Sequence, residues 1–369
     1  MAGLVLGIGA TAAAGARRKK PHFVALPYLS GLLDASEVRR ELSAIPNEAE
    51  PAAPPSPDRR LAALDAGILD DARRGTSLWD GSCRWQGDAG CTHVEARAWP
   101  PLRDDLAFVG PTPRRERRVV EERDPVDVAH ALAHLRRAER AWRQRSRAGG
   151  TPPPQVRRAA AWALFLLAER DFEALHASEA PRGLSFDTAE WMVESGVPEW
   201  EEEGKLRQAL AAASHDRQYA HLVDVLELRQ ALVDRYREIL RLHDLRSTIA
   251  VLARSASLAD EWSVIVHGIR APEVTTKGSR STPWIRCIDP QEAAQGDVLS
   301  GVLRACVTLA ERHNYRDDPF VRLCRRELRR LHPDESVEDH EIDFTAVTRP
   351  PRPERIGLVV LDDALERRD

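Results

Sequence analysis

Three side chains in the last third of the chain could support covalent chemistry if the fold brings them together. His267 lies in the apolar run at 262–271, and Cys287 and Asp289 lie within and at the end of the run at 283–289. Both runs are short and apolar, which predicts strands. A hairpin of these strands would place His267 opposite Cys287, where the imidazole could accept the thiol proton and generate a nucleophilic thiolate. Alternation along the second strand equally explains Cys287 as a buried core residue.

A polar loop between these two runs, with the sequence TTKGSRST at 275–282, could bind an anion. Lys277 and Arg280 supply positive charge, and Gly278 lets backbone amides turn toward a ligand. The loop lacks the full glycine-rich pattern of a phosphate-binding loop. A polar connection without a ligand is therefore the alternative interpretation.

A second candidate site is a metal centre on a helix, because His130 and His134 are four residues apart and Asp127 is one turn earlier. Side chains at this spacing share one face of a helix, as metal ligands must. A metal would need a third and a fourth ligand, and the sequence offers only unanchored histidines for them: His176, His215 and His221. Solvated or capping histidines are the alternative.

Two of the five cysteines lie close enough in sequence to act together. Cys83, Cys91 and His93 could hold zinc with one further ligand, but structural zinc sites usually pair cysteines two to four residues apart. Buried cysteines beside the neighbouring tryptophans are the alternative. Five cysteines in a long chain do not indicate a disulfide framework, although a bond between Cys83 and Cys91 is geometrically allowed. We therefore expect a reducing compartment.

The N-terminal segment MAGLVLGIGATAAAGARRKK contains a pattern that is found in dinucleotide-binding loops. Its GIGATA stretch fits G-x-G-x-x-A after a short apolar run. Pro21 and Pro27 interrupt the helix and strand that should follow, and the remainder of the chain lacks alternation of strands and helices. A dinucleotide site is therefore not expected.

The same segment carries small residues at every fourth position, namely Gly3, Gly7, Thr11 and Gly15. On a helix they form a stripe that lets another backbone approach closely. The four cations at 17–20 suit the C-terminal end of that helix or anionic lipid headgroups. The stripe predicts an interface with a partner or a membrane surface, and a buried or frayed terminal segment is the alternative.

The composition limits the classes of function. The chain has 369 residues, of which 43% are hydrophobic and 30% charged, and such a composition predicts globular structure. The net charge of −4 does not favour nucleic acid as a partner. A spanning helix needs about 20 consecutive apolar residues, and the sequence contains no such run.

The fold class predicted from these patterns is mainly α, with a central helical bundle, an irregular Trp/Cys-containing segment before it and a small α+β unit after it. Asp-Pro pairs at 124–125, 289–290 and 318–319 mark helix starts. The stretch at 155–178 is apolar on nearly every side, as expected for the centre of a bundle, and spacings of three and four residues predict a long helical stretch at 199–256. In the α+β unit, short apolar runs at 342–348 and 355–361 predict two further strands. The predicted segments are an apolar stretch (1–20), a proline-rich arm (21–75), an irregular segment (76–124), the bundle (125–257) and the α+β unit (258–369).

The predicted function is that of a non-enzymatic structural or adaptor protein that contributes helical and N-terminal surfaces to a larger assembly, at a membrane or in a virion-like particle among the options. The alternatives are an enzyme for an anionic substrate at the C-terminal unit and a metal-binding helical bundle. We expect protein partners or self-association and no cofactor. The expected location is cytoplasmic, with membrane association through residues 1–20 as an alternative; the lack of acidic residues before Asp34 also permits organelle targeting.

Overall fold

Helices account for most of the part of the chain that the structure describes. The computed structural model describes residues 22–25, 33, 35–46, 52–54, 56, 58–86, 91–93, 124–178, 181–185, 190–193, 195–268, 275–276, 279–280, 285–315, 318–332 and 357–360. Its helices are α1 (Ala35–Ser43), α2 (Arg59–Trp79), α3 (Pro125–Arg147), α4 (Pro154–Ala177), α5 (Glu190–Val193), α6 (Pro198–Leu240), α7 (Leu245–Gly268), α8 (Ile285–Arg312) and α9 (Pro319–Leu331). The mainly α class is therefore confirmed.

The strands are short and form two-stranded pairs. They are β1 (His22–Ala25), β2 (Cys83–Trp85), β3 (Cys91–His93), β4 (Thr275–Thr276), β5 (Ser279–Arg280) and β6 (Gly357–Val360). β2 pairs with β3, β4 with β5, and β1 with β6, in each case antiparallel. The β1–β6 pair joins backbone near the beginning of the chain to backbone near its end. Among the described residues, no helix has both the length and the apolar character needed to span a membrane.

Helix α4 occupies the centre of the bundle. Its residues from Ala160 to Glu169 are buried without interruption, and its neighbours are α2, α3, α6 and α7. Apolar side chains on all sides of the helix remove most of its surface from water only if other helices surround it. The prediction of a bundle around this stretch is confirmed.

Helices α2 and α3 pack antiparallel at short range, and Gly75 allows their close approach. A Cβ atom at this position would lie 2.7 Å from two side-chain carbons of Leu135 and 3.2 Å from the carbonyl oxygen of Ala131. The buried pair of Arg145 and Asp65, with 2.8 Å between Nε and Oδ1, joins the same two helices nearer the start of α2. α2 begins within the segment that we assigned to a proline-rich arm, and it packs against α3 and α4.

Aspartate side chains cap α2, α3 and α9, and the sequence predicts the caps of α3 and α9. Asp124 accepts a hydrogen bond from Val126 N at 2.9 Å, and Asp318 accepts one from Phe320 N at 2.8 Å. Asp58 caps α2 in the same way. The predicted starts of α3 and α9 are confirmed. The predicted start of a helix at Asp289 is wrong, because α8 begins four residues earlier at Ile285.

The predicted helical stretch at 199–256 is two helices that separate at residues 241–244. His243 takes a left-handed backbone conformation with φ of 54°, and Asp244 then caps the next helix by accepting from Ser247 N at 2.9 Å. Apolar residues continue at short spacing across residues 241–244, so the hydrophobic pattern of the sequence does not predict this turn.

The predicted C-terminal α+β unit is not confirmed. Residues 262–268 belong to α7 and residues 285–289 belong to α8, so both strand predictions there are wrong. A short apolar run fits a buried helix as well as a strand, and here each run extends a longer helix. The strand predicted at 355–361 corresponds to β6, and the one at 342–348 lies outside the described residues.

Helices α8 and α9 are joined by a disulfide bond between Cys306 and Cys324, both fully buried. Cys83 is also disulfide-bonded. The cysteine count thus underestimates the amount of cross-linking in this chain.

The two glycines of α2 provide a matched test of the α2–α3 contact. Gly75→Ala should destabilise the protein by roughly 1–3 kcal/mol because the new methyl group overlaps Leu135. Gly67→Ala should stabilise it by up to about 1 kcal/mol, because that position has open space and alanine favours the helix. Urea unfolding of both variants measures the two effects. Equal effects on the free energy of unfolding would contradict the close approach.

The Cys306–Cys324 disulfide closes a loop with a sequence separation of 18. Chain entropy then predicts that the double variant Cys306→Ser, Cys324→Ser loses about 3 kcal/mol of stability. Peptide mapping of the unreduced protein should recover the two cysteines in one cross-linked species. Alkylation of both cysteines in unfolded, unreduced protein would show that the bond is absent.

Candidate functional site

The C-terminal candidates lie on helices and a small hairpin instead of two adjacent strands. His267 belongs to α7, Cys287 and Asp289 belong to α8, and their side chains lie outside the described part of the structure. The hairpin is formed by β4 and β5, with Lys277 and Gly278 between them. The strand pairing from which we predicted a His267–Cys287 contact is therefore wrong.

The candidate metal ligands on α3 each make a different contact. Asp127 Oδ1 accepts from Trp85 N at 2.7 Å, and the His130 ring stacks on the Trp85 indole with centroids 3.8 Å apart. His134 Nδ1 lies 2.6 Å from Asp71 Oδ1 on α2. These contacts attach α3 to β2 and α2. In the described ranges, no three His, Cys, Asp or Glu side chains are arranged to hold a metal ion.

The Trp/Cys segment forms the β2–β3 pair. Cys83 is fully buried and disulfide-bonded, so its sulfur is not available as a thiolate ligand. The backbone register places His93 opposite Cys83 and Cys91 opposite Trp85. The small-residue stripe Gly3, Gly7, Thr11 and Gly15 lies outside the described residues.

Two buried acid–base pairs between α4 and α7 were not predicted from the sequence. Arg254 donates to both carboxylate oxygens of Glu169, through Nε and Nη2, at 2.6 Å each. One heptad further along both helices, His176 Nδ1 contacts Glu261 Oε1. All four side chains are at most 10% exposed. The pairs fix the relative position of α4 and α7.

The electrostatics of the first pair favour the charged form of the Arg254 guanidinium. Burial acts to lower the pKa of Arg254, but the negative charge and hydrogen bonds of Glu169 outweigh it, and the net shift is upward. The nearby Tyr236 hydroxyl is buried, which raises its pKa well above the usual value and keeps it protonated. Both oxygens of Glu169 are engaged by Arg254, so this carboxylate is a structural group in the described geometry.

The N-terminal half of α6 has one exposed face, on the side of the helix away from its buried residues. Glu199, Glu203, Leu206, Leu210, Ala213 and Arg217 follow each other at spacings of four and three residues, and all six are exposed. Such spacing puts them on one side of a helix. We call these six residues the outer face of α6.

The outer face has an apolar centre and charged ends. Leu206 and Leu210 are 62% and 50% exposed. Glu199 and Glu203 lie before the leucines along the helix, and Arg217 lies after them. A leucine pair between opposite charges is typical of a contact surface between helices. The sequence signal for this surface is the Leu206–Leu210 pair, which is out of phase with the buried stripe from Leu222 to Leu240.

Helix α5 covers the opposite side of α6. At Gly204, an added Cβ atom would lie 2.6 Å from Val193 Cγ2, so glycine is needed for this approach. Arg217 Nη2 donates to the carbonyl oxygen of Arg182 at 2.8 Å. Trp200, in the first turn of α6, is 48% exposed. The chain itself therefore holds this half of α6 in place and leaves its outer face toward solvent.

Comparison with known proteins adds no family assignment: no family model, curated protein or solved structure matches this chain.

Removal of one partner from the buried Glu169–Arg254 pair should be costly. Arg254→Met leaves an unpaired carboxylate in the bundle and should lower the free energy of unfolding by about 3–5 kcal/mol. The double variant Glu169→Leu, Arg254→Met should recover most of this loss, because it removes both charges. Urea unfolding of the three proteins measures the coupling. If the single and double variants lose the same free energy of unfolding, the charges of Glu169 and Arg254 do not compensate each other in the folded protein.

Proposed function

We propose that this chain is a non-enzymatic structural or adaptor protein, and that it contributes the outer face of α6 to a larger protein assembly. The observation that carries the proposal is the clustering of exposed apolar side chains. Four large hydrophobic residues are exposed in the described part of the chain, and two of them, Leu206 and Leu210, lie one turn apart on the outer face of α6. Single exposed leucines are common on protein surfaces, whereas clusters mark contact sites.

The length of α6 supports the same proposal. Helix α6 has 43 residues and α4 has 24, which at 1.5 Å per residue corresponds to roughly 64 Å and roughly 36 Å. The buried leucines and valines of α6 lie from Leu222 onward, toward its C-terminal end. Its N-terminal half therefore adds exposed helix surface beyond the bundle core, and a protein that joins partners needs such surface for its contacts.

The N-terminal stripe of Gly3, Gly7, Thr11 and Gly15 is a second contact surface in this proposal, toward protein or a membrane surface. The disulfides at Cys306–Cys324 and Cys83 favour a compartment where thiols oxidise. We therefore replace the expected cytoplasmic location with an oxidising compartment as our proposal.

The two alternative functions have less support. A His–Cys nucleophile required adjacent strands, and the residues concerned belong to α7 and α8. A metal site on α3 required converging ligands, whereas Asp127, His130 and His134 contact Trp85 and Asp71. Neither observation supplies a set of groups that could bind and transform a substrate.

Site-specific photo-crosslinking in the source cells tests the proposal. A photoreactive residue at position 206 should give discrete protein adducts, because the outer face contacts a partner. The same residue at position 205 is the matched control, since Lys205 is exposed but about one third of a turn away. Leu210→Asp, introduced beside the probe at 206, should remove the adducts. The same adducts at both positions, or adducts unaffected by Leu210→Asp, would argue against this contact surface.

A further inference from the structure

The outer face of α6 is complementary to itself when two copies run antiparallel. Such an arrangement sets Leu206 of one copy against Leu210 of the other, and Leu210 against Leu206. It also sets Glu199 against Arg217 at one end of the contact and Arg217 against Glu199 at the other end. The apolar centre and the two charged ends of a single helix therefore supply both halves of an interface.

We propose that the partner of the outer face is a second copy of this chain, docked antiparallel along residues 199–217 of α6. This inference rests on the proposed function and names its partner. The spacing of four and three residues is the pattern that interlocks side chains between two helices. Ala213, a small residue at the edge of the leucine pair, packs against Glu203 of the second copy and lets the helices approach.

Charge sets the direction of the pairing. In a parallel arrangement, Glu199 and Glu203 would face their own copies, and Arg217 would face Arg217. Like charges placed opposite each other across a contact oppose association. The antiparallel arrangement replaces these repulsions by an attraction between Glu199 and Arg217 at both ends.

The present contacts of the charged residues are compatible with this pairing. Arg217 donates to the carbonyl oxygen of Arg182, and this neutral acceptor holds the guanidinium at the face without neutralising its charge. Glu203 pairs with Arg207 one turn later on its own helix. Glu199 is an exposed carboxylate in the first turn of α6 and is the matching acid for Arg217 of the second copy.

A charge-swap series on the purified full-length protein tests the proposal. Sedimentation equilibrium over a wide concentration range should show a monomer–dimer equilibrium for the wild type. Glu199→Arg and Arg217→Glu should each weaken the dimer by on the order of tenfold, since each change affects both symmetry-related ends. The double variant should restore the wild-type dimerisation constant, because opposite charges again face each other.

Two further variants separate the outer face from other surfaces. Leu206→Asp should abolish the dimer, because it places a charge at the apolar centre. Lys205→Glu changes charge on the same helix away from the outer face, and should leave the dimerisation constant unchanged. Circular dichroism of each variant checks that the helices are retained. Glu199, Lys205 and Leu206 are exposed, which favours retention of the fold in their variants. Arg217→Glu also removes the hydrogen bond to the carbonyl oxygen of Arg182, so Arg217→Gln is the control for the loss of that bond without a reversed charge.

Several results would overturn the proposal. A wild type that is monomeric at all concentrations excludes self-pairing, and so does a dimer that survives Leu206→Asp. Failure of the double charge-swap variant to restore dimerisation excludes the antiparallel arrangement. If the pure protein is monomeric but position 206 crosslinks to a different polypeptide in cells, the second copy is wrong as partner while the proposed function stands. If neither association nor crosslinking occurs, both fail.

Discussion

The burial of the central turns of α4, from Ala160 to Glu169, is the constraint on which the rest of the fold depends. A helical stretch that is apolar on every side must be enclosed, and α2, α3, α6 and α7 all contact α4. Because α4 is enclosed, the polar side chains on its buried face must find hydrogen-bond partners within the protein. The side chains of Glu169 and His176 point into the bundle, and each requires a partner from a neighbouring helix because unpaired buried polar groups are costly. Helix α7 supplies both partners, Arg254 and Glu261.

These two pairs also specify the register of α4 against α7. Glu169 and His176 are seven residues apart, as are Arg254 and Glu261, so both pairs recur on the same faces of two parallel helices. The order of acid and base is inverted between the pairs. A slip of one heptad would bring Glu169 against Glu261 in one direction, or His176 against Arg254 in the other. Apolar packing alone would tolerate such a slip better, and the buried polar groups oppose it.

Local signals in the sequence predicted the helices whose boundaries are set by local chemistry. Asp124 and Asp318 precede proline and cap α3 and α9, and the apolar stretch of α4 identified the bundle centre. Features that depend on distant partners were not predictable. The Arg254–Glu169 pair joins residues 85 positions apart. The apolar runs around His267 and Cys287 fit either strand or helix, and their place within longer helices decided the outcome.

The outer face of α6 follows from the same physical argument applied to surface instead of core. A helix of 43 residues is longer than α4 and α7, the bundle helices that it packs against, so its N-terminal half needs other support. An exposed ion pair within one helix, such as Glu203–Arg207, adds only about 0.2–0.5 kcal/mol to the stability of that helix. Ser214 accepts from Ser185 N at 2.9 Å, and Gly204 admits α5, so one side of this half is covered. The opposite side carries Leu206 and Leu210, whose burial against another helix would add the hydrophobic stabilisation that the bundle gives to the C-terminal half.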